Sequence, residues 1–140
     1  MSQIHVPVSA GELLDKISIL EIKARRIGDP SKVENVQREL DALRAVWSEA
    51  KLDEEPEVER IRNGLREVNG ELWDIEDRIR EKEAAQAFDD EFIQLARKVY
   101  RTNDRRAALK RELNVLVGSE LVEEKSYADY GSGAGEPDSD

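Results

Sequence analysis

Apolar residues along this chain recur three and four positions apart in four successive stretches, the spacing of helices that bury one stripe. The first stretch carries Leu13, Ile17, Leu20, Ala24 and Ile27, widened by Ile19 and Ile22, so it is expected to be contacted on more than one side. The second carries Val33, Val36, Leu40, Leu43 and Trp47, a heptad-like seam. The third runs Val58, Ile61, Leu65, Val68, Leu72, Ile75 and Ile79 with no polar interruption. The fourth runs Phe92, Leu95, Val99, Thr102, Arg106, Leu109, Leu113 and Leu116, and is broken in its middle by two polar residues.

Punctuation between the stretches fixes their limits. Ser9 is placed as an N-cap, with Glu12 three residues on as the other half of a capping box. In Gly28-Asp29-Pro30 the glycine suits the position after a helix, the aspartate an N-cap and the proline a first helical residue. Asp53-Glu54-Glu55-Pro56 breaks the pattern again, and Asp89 or Asp90 restarts it, with Phe88 able to staple onto Phe92 or Ile93. Gly118 ends the fourth stretch. The predicted helices therefore span about 11–27, 31–50, 57–84 and 90–117, the last two being ~42 Å long at 1.5 Å per residue. Gly64 and Gly70 inside the third helix point to close approach of a neighbour.

The predicted fold is all-α, with antiparallel helical hairpins forming an elongated four-helix bundle with coiled-coil-like seams. Helices one and two lie across the long hairpin of three and four. Four regions are expected: an extended N-terminal arm at 1–8, broken by Pro7, the bundle at 9–118, a C-terminal segment at 119–130, and a disordered acidic tail at 131–140.

Composition narrows the function classes. Charged residues make up 39% of the chain, well above the usual quarter, while aromatics make up only 5%, which fits solvated helices around an aliphatic core. The net charge of −10 disfavours nucleic acid as a partner. Residues 119–140 hold seven acids and one lysine, and so carry −6 of that charge. Without cysteine and with a single histidine, no thiolate or His-based metal site can form, and neither a metal nor another cofactor is expected. No stretch reaches the ~18 apolar residues of a membrane span, and no signal peptide is visible, so a cytoplasmic protein is expected.

Two polar features could carry chemistry. From Glu91 to Leu116 the fourth helix has seven basic and three acidic residues. Arg106 and Thr102 stand on its apolar seam, with Tyr100 and Asn103 on the flank and Arg101 and Arg105 around them. A buried arginine needs a partner. That partner is either an acid of helix one or three, giving a structural ion pair, or an external phosphate or carboxylate held by the guanidinium fork. The second feature is an echo between Gly11-Glu12-Leu13-Leu14-Asp15 and Gly70-Glu71-Leu72-Trp73-Asp74. Glu12 with Asp15, and Glu71 with Asp74 and Asp77, place carboxylates about one turn apart, as magnesium-dependent helical pyrophosphohydrolases do. Those enzymes need a denser acidic set, so a metal site is not favoured. A chorismate-mutase-like dimer would use several arginines on a longer basic first helix than is present.

Long motifs add a resemblance. V-P-V-S-A-G-E-L-L-D-K-I-S-I-L-E-I-K at Val6 to Lys23 resembles the signature of an uncharacterised bacterial domain-of-unknown-function family of short proteins. So do N-G-E-L-W-D-I-E-D-R-I-R at Asn69 to Arg80, V-Y-R-T-N-D-R-R-A-A-L-K-R at Val99 to Arg111, and L-V-E-E-K-S-Y at Leu121 to Tyr127. The resemblance covers about Val6 to Tyr130 and implies no activity. Its segments fall on the polar anomalies, which implies one shared cluster where helices one, three and four meet. With no nucleophile motif or glycine-rich loop, a non-enzymatic helical interaction or adapter protein is expected, as a homodimer and with a possible protein partner. The alternative is a small helical enzyme or sensor binding a phosphorylated or carboxylated metabolite at the arginine cluster.

Overall fold

The computed structural model describes residues 3–121 and 124. Four α-helices follow one another: α1 (Ala10–Arg26), α2 (Pro30–Ala50), α3 (Glu57–Ala84) and α4 (Asp90–Val117), with a 3-10 turn at Leu52–Glu54 before α3. Among the described residues there is no strand. Residues 3–8 form an irregular, exposed lead-in to α1. Of the expected C-terminal segment only 119–121 and 124 fall within the described residues, and the expected acidic tail at 131–140 lies outside them.

Capping chemistry sets the helix ends. Ser9 accepts from the Glu12 amide at 3.1 Å and Asp29 from the Ser31 amide at 3.0 Å. Asp89 accepts from the Phe92 amide at 3.0 Å, and Phe88 meets Phe92 edge to face at 5.2 Å between centroids. Gly118 closes α4 at φ +65, in the left-handed region that glycine favours. Gly28 departs from expectation: α1 ends at Ile27 in extended backbone, and Gly28 has no positive φ. The chain leaves α1 by an extended turn, for which any residue would serve.

α3 and α4 form the long hairpin, and α1 packs against all three other helices. That position explains why Leu13, Leu14, Ile17, Leu20 and Ile22 are all buried. They lie on several faces of one helix, as the widened stripe on α1 suggested. The main core joins them, Ile22 excepted, to Leu40 and Trp47 of α2, Val58, Ile61, Leu65 and Val68 of α3, and Leu113 of α4. Burying each such side chain contributes about 1.5–3 kcal/mol.

The two glycines of α3 separate. A Cβ at Gly64 would stand 3.1 Å from the Leu109 side chain, so α4 does approach closely there, while a Cβ at Gly70 would meet nothing within 4 Å. Close approach therefore accounts for Gly64 and not for Gly70. The tightest glycine is Gly11, where a Cβ would collide with the Lys110 carbonyl and lie 3.0 Å from Asn114 Oδ1. α1 and α4 touch backbone to backbone at that point.

The core cluster reaches no further along α3 than Val68, and the end of α1 is pinned to α3 by Arg26 and Asp74 at 2.6 Å. Beyond them α3 and α4 continue as a two-helix arm. Its tip is held by Lys82, which bonds Asp89 at 2.8 Å and Glu91 at 2.7 Å, and by Arg78, which reaches Glu91 at 3.0 Å.

Candidate functional site

α1 and α4 run antiparallel, and a polar ladder joins them. On α4 it uses Arg106, Lys110 and Asn114, four residues apart and therefore on one stripe. On α1 it uses Gly11, Glu12 and Asp15.

The first rung is helix capping across the bundle. The Gly11 amide donates to Asn114 Oδ1 at 2.6 Å, and the neighbouring Ala10 amide donates to Ser119 Oγ at 3.3 Å. Together with Ser9, these side chains satisfy three of the amide donors that a helix start leaves over. Only the missing Cβ at Gly11 lets Asn114 come so close.

In the second rung, Lys110 Nζ lies 2.7 Å from Glu12 Oε2. The capping box is thus one-sided. Ser9 takes its part, but the Glu12 carboxylate turns to a buried lysine of α4, which offers a full charge where the Ser9 amide offers a dipole.

The third rung is the centre of the cluster. Asp15 is 1% exposed, and Arg106 binds it through two parallel hydrogen bonds, Nε to Oδ1 at 2.9 Å and Nη2 to Oδ2 at 2.5 Å. Asn69 of α3 donates to Asp15 Oδ1 at 2.9 Å and to Ser18 Oγ at 2.8 Å. Asn103 supplies an acceptor to Arg106 Nη1 at 3.4 Å. A carboxylate taken from water at a cost of several kcal/mol is compensated here by a guanidinium and an amide. The arrangement is a closed knot that ties three helices, with Thr102 buried beside it on the α4 seam.

The other predicted residues spread outward from this knot. Arg105 pairs with Glu71 at 3.0 Å and stands 4.0 Å from Glu67, all on the solvent side. Arg101 is half-buried, and its Nε has no hydrogen-bond partner. Tyr100 is 42% exposed on the arm. Of the predicted acidic set, Glu12, Asp15, Glu71 and Asp74 each face a cation from another helix, and Asp77 is exposed. The structure thus disperses four of these five acids among four cations, and among the described residues no group of three or more His, Asp or Glu side chains could hold a metal ion.

Sequence reasoning passed over Lys110, Asn114 and Ser18. The fourfold spacing of Arg106, Lys110 and Asn114 was the available signal, since a basic and an amide residue continue the stripe that Arg106 begins. A second polar group went unread as well. Glu21 of α1 receives Arg44 of α2 at 2.9 Å and Arg66 of α3 at 3.2 and 3.3 Å. Burial pushes the Glu21 carboxyl up, but the hydrogen bonds and charges of Arg66 and Arg44 outweigh it and hold the group below the usual carboxylate range. At the far end of α2, Trp47 donates to Asp53 at 2.9 Å, and Arg62 lies over its ring at 5.7 Å while pairing with the same carboxylate. That is how an indole nitrogen is accommodated at the core's edge.

No helix among the described residues is long and apolar enough to cross a membrane. No curated protein and no solved structure matches the chain. One family model does, over residues 4–137, and by that match, which takes in nearly all 140 residues, the chain belongs to the family of unknown function DUF6165.

Proposed function

We propose that this protein is a non-enzymatic helical interaction protein of the cytoplasm that acts as a homodimer, with the α3–α4 arm as its coiled-coil-like contact element. The observation that carries the reading is the apolar surface that the arm leaves uncovered beside its seam. Past Asp74 only two helices remain to bury it, and Phe88, Ile93 and Tyr100 are 53%, 52% and 42% exposed there. Phe92, Leu95 and Val99 of the same helix are only half-buried. Exposed apolar residues grouped in this way mark contact surfaces more often than chance surface.

Charge argues for a second copy as the occupant. Residues 81–91 at the tip hold five acids and one lysine, while Arg97, Lys98 and Arg101 follow toward the base of α4. A two-fold contact makes one surface complementary to itself. Two arms laid antiparallel bring each acidic tip against the other's basic base, and their apolar faces together. The knot at Asp15 supports the non-enzymatic half of the reading, because its groups are spent on one another.

Sedimentation equilibrium tests the proposal. The expected result is a species of twice the 15.9 kDa chain mass that dissociates on dilution and with added salt. Ile93→Glu should give a monomer with unchanged helicity. A wild-type protein that stays at 15.9 kDa across the concentration range overturns the dimer.

A further inference from the structure

α2 and α3 both lean on α1, and between them, over the C-terminal half of α1, lies an open groove of about 640 Å³. That is the size of a small-molecule site. Its lining divides by chemistry. Ile22 and Leu40, each only 2% exposed, close its base, half-buried Ala24 lies beside them, and Ile22 stands outside the main core cluster. Arg25, Arg44 and Arg66 line it as well, one from each of α1, α2 and α3, with Glu21 among them.

The charges in the groove do not balance internally. Arg44 and Arg66 share the single Glu21 carboxylate. Arg25 has no ion-pair partner among the described residues. Glu67, on the rim, is 68% exposed and lies 4.0 Å from Arg105. Three guanidiniums and two carboxylates, Glu21 and Glu67, thus line the groove, which leaves it one positive charge in excess. Contrast the Asp15 knot, where a single arginine fork meets a single carboxylate. Glu21 already shows that this place holds a carboxylate well: two arginines from different helices converge on its two oxygens.

We infer that the groove is a binding site for a small amphiphilic anion, a carboxylate or phosphate carried on a short apolar body. The body lies against Ala24 and the aliphatic stems of the arginines, above the closed base formed by Ile22 and Leu40. The anionic group is held by Arg25 and by the charge that Arg44 and Arg66 retain beyond Glu21. This goes beyond the interaction reading and does not depend on it, since the groove and the arm share no residue.

Hexanoate and hexyl phosphate are suitable probes, with hexylammonium as the cationic isostere and acetate as the head without the body. Two-dimensional amide NMR of the full chain reads both location and affinity. Both hexyl anions should shift amides of 18–25, 44 and 66 saturably, and the tighter of the two names the anionic head. Acetate and hexylammonium should leave those amides in place. Arg25→Gln removes an exposed guanidinium that supports nothing else in the fold. It should weaken the hexyl anions about fivefold to tenfold, the scale of one charge-assisted contact. Equal shifts from hexylammonium, shifts centred elsewhere, no saturable shift at all, or an unchanged affinity in Arg25→Gln would each overturn the inference.

Discussion

Asp15 and Arg106, 91 residues apart, form a two-bonded ion pair between α1 and α4, with the carboxylate 1% exposed and the arginine side chain 28% exposed. The seam position of Arg106, which spacing alone gives to the core, is thereby filled by a charge whose partner comes from the oppositely running helix.

Removing Arg106 strands that carboxylate beside Asn69 alone. Arg106→Leu should cost about 3 kcal/mol, the lower end of the range for breaking a buried pair, because the arginine keeps some contact with water. Urea unfolding at neutral pH measures it. Stability equal to wild type would mean that Asp15 finds water or another cation.

The α1–α4 contact at Gly11 leaves no room. Gly11→Ala should lose ~1–3 kcal/mol as the helices part. Gly70→Ala, with nothing near its added methyl, should gain up to ~1 kcal/mol from reduced freedom of the unfolded chain. Thermal melts of the two variants should move in opposite directions, and a shared direction would contradict the geometry.

Asn114 is 1% exposed and accepts from the Gly11 amide, while its own Nδ2 lacks a partner. Asn114→Ala should cost about 1–3 kcal/mol, chiefly through the orphaned amide. The loss should be accompanied by faster hydrogen exchange at the first turn of α1. Normal protection there would show that another group caps it.

Acid should weaken the fold through identified groups. Lys82 holds the Asp89 carboxyl below its usual range, Lys82 and Arg78 do so for Glu91, and Arg62 for Asp53, while at Glu21 the two arginines prevail over burial. A carboxyl lowered in the folded state contributes stability that is present above the unfolded value, about 4, and is lost as pH falls through the lower folded value. Unfolding free energy should therefore be level near neutrality and decline below about pH 5. Glu21→Gln should flatten part of that decline. An identical slope in the variant would remove Glu21 from the set.

The family motifs, read as sequence, put Glu12, Asp15, Asn69 and Arg106 in one neighbourhood, and the structure joins Asp15, Asn69 and Arg106 directly, with Glu12 one rung away on Lys110. The echo between residues 11–15 and 70–74, by contrast, groups Glu71, Asp74 and Asp77 with Glu12 and Asp15 as one acidic set. Spacing shows which residues share a helix face, but not which face looks at which neighbour.

Short-range interactions, legible along the chain, set the helices and their ends. Stripe spacing, the Ser9, Asp29 and Asp89 caps, Pro30 and Gly118 act within four residues of themselves, so the four helices and their ends could be read to within a residue or so. Partners between helices follow from packing instead. Whether Glu12 bonds back to its own helix or across to Lys110 depends on the closeness of α1 and α4, which the absent Cβ of Gly11 permits. That Arg44 and Arg66 converge on Glu21 and leave a groove beside it depends on how α2 and α3 lie across α1. Long charged side chains have several partners in reach on any helix surface, and only the register and crossing of whole helices select among them.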